Sequence, residues 1–179
     1  MKKVLLSALL LLVVTAFFAF RPEANTPEPA EEVKWYTWEE AIALTEENPK
    51  KLFIDMYTDW CGWCKRMDAT TFRDPEVVKL LNTEFYPVKF DAEQKEDVVY
   101  KDHTFKFIDS GRRGVHELAY SLLDGNLGYP SYVYLDEAQR RITISPGYKP
   151  ADKMTVELEF ISGNHYKNSS FEEYMKGSK

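Results

Sequence analysis

The chain has 179 residues, a length that suits one domain with short appendages. Its formal net charge is −6, and an acidic surface argues against nucleic acid and anionic membranes as binding partners. Hydrophobic residues make up 44% of the chain and aromatic residues 15%, which predicts a globular core containing many rings.

The first twenty residues have the pattern of an export signal. A positive start, Met1-Lys2-Lys3, precedes an almost wholly apolar run from Val4 to Phe20. We expect residues 1–20 to be a cleaved signal peptide or an uncleaved membrane anchor. Either form would place the rest of the chain outside the cytoplasm, for example in a bacterial periplasm. Residues 21–33 are rich in proline and glutamate and predict a flexible linker to a domain at 34–179.

The predicted domain opens with a helix and a strand. Thr37 is a good helix N-cap, and Glu40 three residues later completes a capping box. The helix ends at Asn48-Pro49, and the apolar run from Lys51 to Thr58 then predicts a buried strand.

The stretch Trp60-Cys61-Gly62-Trp63-Cys64-Lys65 contains both cysteines of the chain, between this strand and a predicted helix start. A Cys-x-x-Cys pair in that position is a redox signature. A helix N-terminus offers unpaired N–H groups and a positive dipole end, which favour the thiolate form of Cys61. Cys64 lies one turn further on, where it can close a disulfide with Cys61 and resolve a mixed disulfide.

Other uses of a cysteine pair have less support in this sequence. A zinc site needs about four ligands, and neither a second cysteine pair nor suitably spaced histidines are present. Haem attachment requires a histidine directly after Cys64, where Lys65 stands. We therefore predict neither a metal nor a bound cofactor, and an inert structural disulfide remains the main alternative.

A second motif makes the pattern more specific. The segment from Thr71 to Val77 reads Thr-Phe-x-Asp-Pro-Glu-Val, with Asp74 as an N-cap and Pro75 as the first helical residue. Together with the Cys-Gly-Trp-Cys motif, it resembles the short exported thioredoxin-related proteins of the thioredoxin-like superfamily, over about residues 34–162 with gaps. The resemblance implies an α/β fold, with a central mixed β-sheet flanked by helices.

The resemblance also implies roles for two charged strand residues. Asp55 lies in the apolar strand, where a carboxylate is costly without a partner or a function. In thioredoxins an aspartate at this offset exchanges a proton with the inner cysteine through water, which assigns Asp55 to Cys64. Lys89 stands on the next predicted strand, where thioredoxins carry a lysine beside that aspartate. The predicted catalytic set is Cys61, Cys64, Asp55 and Lys89, although both charged residues fit solvent-facing strand positions too.

A proline directly before the β-rich run at 131–135 belongs at a strand start, because proline cannot donate a ladder hydrogen bond. The resemblance implies a cis-proline at Pro130 facing the cysteines, with the backbone of Tyr129 pairing with a substrate strand. With Trp60, Gly62 and Trp63, these residues form the predicted substrate-binding surface. The alternative is a proline that merely ends a loop.

The sequence departs from thioredoxin in two places. Gly62-Trp63 replaces the Gly-Pro between the cysteines, which leaves the direction of electron flow open. An insertion at about 93–127 precedes the Pro130 strand, and we predict that it contains a hairpin of residues 98–100 and 104–107 and a helix at 115–123. It either borders the site, with Arg112-Arg113 selecting partners, or packs on itself. Beyond Pro130 we predict a strand at 141–145 and helices at 151–161 and 171–175, and the resemblance implies a glycine near the site at Gly147.

The sequence therefore predicts an exported thiol–disulfide oxidoreductase that acts on protein disulfides. Its partners would be protein thiol or disulfide substrates and a redox protein that supplies or accepts electrons. A reductase or isomerase is favoured over an oxidase. Two alternatives remain: a binding or chaperone module with a structural disulfide, and a thiol peroxidase. Membrane contact is expected only through an uncleaved N-terminal segment.

Overall fold

A computed structural model of the protein describes residues 31–111 and 113–177. The predicted export segment at 1–20 and the linker to residue 30 lie outside the described residues. The helices are α1 (Trp38–Glu47), α2 (Gly62–Ala69), α3 (Pro75–Glu84), α4 (Glu117–Leu122), α5 (Ala151–Ser162) and α6 (Phe171–Gly177). The strands are β1 (Lys51–Tyr57), β2 (Phe85–Asp91), β3 (Val98–Tyr100), β4 (His103–Phe105), β5 (Phe107–Ile108), β6 (Val115–His116), β7 (Ser131–Leu135) and β8 (Arg141–Pro146).

The central sheet has the strand order β2-β1-β7-β8. Strand β1 runs parallel to β2 and antiparallel to β7, and β8 runs antiparallel to β7. This confirms the predicted mixed sheet and α/β class. β1 is buried along nearly its whole length, which explains why its sequence is a continuous apolar run rather than an alternating one.

The two faces of the sheet carry separate hydrophobic clusters. Because successive side chains of a strand point to opposite faces, Ile54 packs with α1 and the insertion helix α4, while Phe53 packs with α2, α3 and α5. Asp55 follows the same alternation as Phe53 and is therefore directed towards the α2 side of the sheet.

Both predicted helix caps are present. The Thr37 side chain accepts the Glu40 N–H while the Glu40 carboxylate accepts the Thr37 N–H, which completes the capping box of α1. The Asp74 carboxylate accepts the first free N–H groups of α3, and Pro75 occupies the first turn.

Residues 31–33 belong to the folded unit, although the sequence assigns them to the linker. Val33 is buried in the cluster on the α2 side, and Glu32 forms an ion pair with Arg73. The backbone N–H of Lys34 then donates to the Asn82 side chain at 2.9 Å. Burial of the apolar Val33 side chain accounts for the packing of this segment against the domain.

The insertion contains the predicted hairpin and helix, with different boundaries. β3 pairs with β4, so His103 lies in the strand rather than in the turn, and Phe107 pairs instead with His116 in the small β5–β6 sheet. His116 is fully buried and its Nδ1 accepts the Leu118 N–H at 3.2 Å. This capping contact makes the helix begin at Glu117 rather than at Val115. Within residues 31–111 and 113–177, none of the helices has the length and apolar character needed to cross a membrane.

Candidate active site

The two cysteines lie at the start of α2, shortly after the end of β1. Cys61 is the N-cap residue of α2, and its Sγ accepts the backbone N–H of Cys64 at 3.0 Å. The pair forms a disulfide with a Cα–Cα distance of 5.3 Å. Both residues are buried, and Cys61 is the more exposed of the two, at 4% against 1% for Cys64. When the pair is reduced, the helix N-terminus favours negative charge on Cys61.

Asp55 is a buried carboxylate on β1 with a single hydrogen-bond partner among the described residues. Its Oδ2 accepts a hydrogen bond from Lys89 Nζ at 2.7 Å, because the parallel register of β1 and β2 sets the two residues side by side. Its Oδ1 is buried and has no hydrogen-bond partner within the described part of the chain. Burial raises the pKa of Asp55 to about 6, although the charge of Lys89 acts in the opposite direction.

Lys89 joins Asp55 to the cysteine helix. Its ammonium group also donates to the carboxylate of Asp68 on α2. Three aromatic rings lie 5.0–5.4 Å from the ammonium: those of Trp35, Tyr57 and Phe72. Burial alone would lower the pKa of Lys89, but the carboxylates of Asp55 and Asp68 outweigh it and raise that pKa, so Lys89 stays protonated.

Asp68 is a member of this ionic cluster that the sequence analysis missed. It stands four residues after Cys64 on α2, a spacing that places both on one side of the helix, and this spacing was the signal available. The side chain of Asp68 is 43% exposed. Asp68 and Lys89 also line a cavity of about 300 Å³. The cluster is therefore open to solvent at Asp68 and closed at Asp55.

The Tyr129–Pro130 peptide bond is cis and directly precedes β7. The carbonyl of Pro130 accepts the N–H of Gly147 at 2.8 Å. Gly147 has a φ of +91°, a backbone conformation that favours glycine. The ring of Tyr129 lies 6.0 Å from that of Trp60, and this contact brings the cis-proline turn beside the cysteine motif.

An exposed tryptophan directly precedes each cysteine of the disulfide. Trp60 is 50% exposed and Trp63 is 57% exposed. Trp60 Nε1 donates to Glu93 of the insertion at 2.9 Å, and Trp63 packs against Tyr148 at 5.1 Å between ring centroids. Gly62, also exposed, has open space where a side chain would stand. The insertion therefore borders the cysteine motif.

Among residues 31–111 and 113–177, no three His, Cys, Asp or Glu side chains are grouped in a way that could hold a metal ion.

The architecture is a thioredoxin-like fold. A solved thioredoxin-fold protein from Helicobacter pylori superposes with a TM-score of 0.56 at 17% sequence identity, covering 72% of this chain and 84% of that one. A family model named Thioredox_DsbH, described as a protein of unknown function, DUF255, matches residues 26–163. The match covers well over half of the chain, and the chain belongs to this family.

The similarity to curated relatives covers a small part of each relative's length. An uncharacterised protein of Caenorhabditis elegans is 32% identical over 92 residues, which is 51% of this chain and 12% of that protein. The thiol:disulfide interchange protein DsbD of Escherichia coli (strain K12) is 37% identical over 62 residues, 34% of this chain and 11% of DsbD. This chain thus spans about a tenth of the length of these relatives.

Proposed function

We propose that this protein is a thiol–disulfide oxidoreductase that reduces or isomerises disulfides in other proteins. The observation that carries the proposal is the Cys61–Cys64 pair at the N-terminus of α2, combined with the buried Asp55–Lys89 pair on the adjacent strands. The similarity to a thiol:disulfide interchange protein supports the same class of reaction.

The reaction starts from the reduced pair. The Cys61 thiolate attacks one sulfur of a substrate disulfide, that S–S bond breaks, and the second substrate sulfur leaves as a thiolate. Cys64 then attacks Cys61 in the resulting mixed disulfide and releases the first substrate sulfur. Two electrons pass from the protein to the substrate, and the Cys61–Cys64 disulfide forms. The N–H of Cys64 and the helix dipole lower the cost of the initial Cys61 thiolate.

Asp55 is the proton relay in this scheme. Cys64 must lose its proton before it attacks, and a carboxylate with a pKa of about 6 takes up and returns a proton near neutral pH. The free Oδ1 of Asp55 supplies the accepting atom. Lys89 is a positioning residue, because its ammonium fixes the other carboxylate oxygen and keeps the pKa of Asp55 from rising further.

A reductase or isomerase needs electrons from a second redox protein. We propose that this donor and the substrates are proteins outside the cytoplasm, on the basis of the export-type pattern at residues 1–20.

The test is reduction of insulin disulfides by the protein with dithiothreitol as electron source. We expect catalysis by the native protein and none by Cys61→Ser, whereas Cys64→Ser should accumulate a mixed disulfide through Cys61. A Cys61→Ser protein that keeps full activity towards its partners would instead identify a binding module with a structural disulfide. Peroxide consumption matched to Cys61 oxidation, with slow reaction towards insulin, would identify a peroxidase.

A further inference from the structure

Five arginines lie in the described part of the chain, and they fall into two groups. Three of them form ion pairs with carboxylates, namely Arg73, Arg140 and Arg141. The remaining two, Arg66 and Arg113, form no ion pair with any described residue. Both of these lie over the tryptophans of the cysteine motif.

One arginine guanidinium lies over each of the two tryptophan rings. The Arg113 guanidinium lies 4.2 Å from the ring centroid of Trp60, and that of Arg66 lies 5.9 Å from the rings of both Trp63 and Tyr148. A cation held over an aromatic face by the ring quadrupole still has N–H groups that can donate to a carboxylate. Glu93 also contacts Trp60, but through the indole N–H rather than through Arg113.

The position of the two arginines matters for what binds there. Trp60 directly precedes Cys61 and Trp63 directly precedes Cys64, and Arg113 comes from the insertion while Arg66 comes from α2. We expect a polypeptide that presents its disulfide to Cys61 to contact the two tryptophans and the arginines over them. The ring contacts restrict the guanidinium groups, most closely at Arg113, and so reduce the side-chain entropy lost when a carboxylate binds.

We infer that Arg113 and Arg66 select substrate segments that carry carboxylate side chains next to the disulfide cysteine. This inference rests on the proposed function and names the substrate class of that same site. The protein as a whole has a net charge of −6, so long-range attraction would favour basic partners. On this inference the two guanidinium groups reverse that preference near the reacting sulfur, against the opposing charge of Glu93 beside Trp60.

The experiment is a single-turnover reaction between pre-reduced protein and three disulfide-linked peptides. The peptides differ only in the residues that flank the cysteine: glutamate on both sides, glutamine on both sides, or lysine on both sides. The rate constant for formation of peptide thiol is measured by acid quench and mass spectrometry. Each exposed charge pair is expected to favour the glutamate peptide over the glutamine peptide by roughly two- to fivefold at low salt. The lysine peptide should react more slowly than the glutamine peptide.

The variants are compared by their glutamate-to-glutamine rate ratio, so that changes in thiol reactivity cancel. Arg113→Gln and Arg66→Gln should each lower the ratio, and the double variant should bring it to about one. Arg113→Lys should keep part of it. The matched control Arg140→Gln removes an exposed, ion-paired arginine and should leave the ratio unchanged. The preference should also shrink as sodium chloride is raised to about 0.5 M.

Several outcomes would overturn the inference. Equal rates for all three peptides would remove the substrate preference while leaving the proposed function intact. A preference that survives the double variant, or that falls as much in Arg140→Gln, would assign the selection to another feature. A native protein that reduces insulin but none of the peptides would overturn this inference alone, whereas one that reduces neither insulin nor the peptides would refute the proposed function as well.

Discussion

The disulfide separates two regions of different character. On its inner side, Asp55, Lys89 and Asp68 form a charge cluster in which each ion has a partner and the aspartate of β1 is buried. On its outer side, Trp60 and Trp63 are exposed and their guanidinium groups lack carboxylate partners among the described residues. Under the proposed function the two sides have different roles: we propose that the inner side handles protons and the outer side determines which substrates bind. Substitutions on the two sides should therefore change different measurable quantities.

The largest effect is expected from Asp55→Asn, which removes the proposed relay. Turnover on insulin should fall by roughly 10²-fold, the usual size of a lost general acid–base contribution. Asp59→Asn is the control, because it removes an exposed carboxylate two residues before Cys61 and should keep near-native turnover. Equal losses in both variants would contradict a relay role for Asp55.

The same Asp55→Asn substitution should stabilise the protein. Burial raises the pKa of Asp55 from 3.8 to about 6, so the folded state binds more protons than the unfolded state in this window. The contribution of Asp55 to the free energy of unfolding is therefore most favourable below about pH 4, and this contribution is lost as pH rises through about 6. At about pH 7.5 the variant should gain roughly 2–3 kcal/mol in its free energy of unfolding.

Chemical denaturation at several pH values measures this gain. It should vanish below about pH 4, where Asp55 is protonated in both states. A variant whose gain does not depend on pH would show that the ionised carboxylate is not the source.

Lys89→Met should move the pH profile of turnover without changing substrate preference. The ammonium lowers the pKa of Asp55, so its removal should shift the profile upward by about one to three pH units. Methionine suits the aromatic surroundings of Lys89, which limits damage to packing. An unchanged profile would exclude Lys89 as the residue that tunes Asp55.

The smallest effect is expected on the outer side. Trp60→Ala removes the ring that contacts Glu93, Arg113 and Tyr129 and should lower kcat/KM on protein substrates roughly three- to tenfold. The pH profile of turnover should stay as in the native protein. Val99→Ala, which truncates an exposed apolar residue of the insertion, should change neither kcat/KM nor the pH profile. A shifted pH profile in Trp60→Ala would break the distinction between the two sides.

Features encoded by neighbouring residues could be predicted from the sequence. The caps at Thr37 and Asp74, the buried strand β1 and the cysteine pair at the start of α2 all depend on short-range patterns, and all are present. The cis bond before Pro130 was implied by the family resemblance and is present as well.

Contacts between distant segments could not be predicted in the same way. The β5–β6 pairing and the approach of Arg113 to Trp60 depend on how the insertion folds back, which no local spacing records. The position of Trp35 beside Lys89 likewise follows from the packing of separate elements. Lys89 was assigned by resemblance, and it is the register of β1 against β2 that sets it next to Asp55.

The most direct test of the central claim is the reduction potential of the Cys61–Cys64 pair, measured by thiol labelling after equilibration in defined dithiothreitol or glutathione buffers. A reductase of the kind proposed should have a potential of roughly −270 mV. A potential near about −120 mV would identify an oxidant and reverse the proposed direction of electron flow. A pair that stays oxidised well below about −300 mV would behave as a structural disulfide and would contradict the redox function altogether.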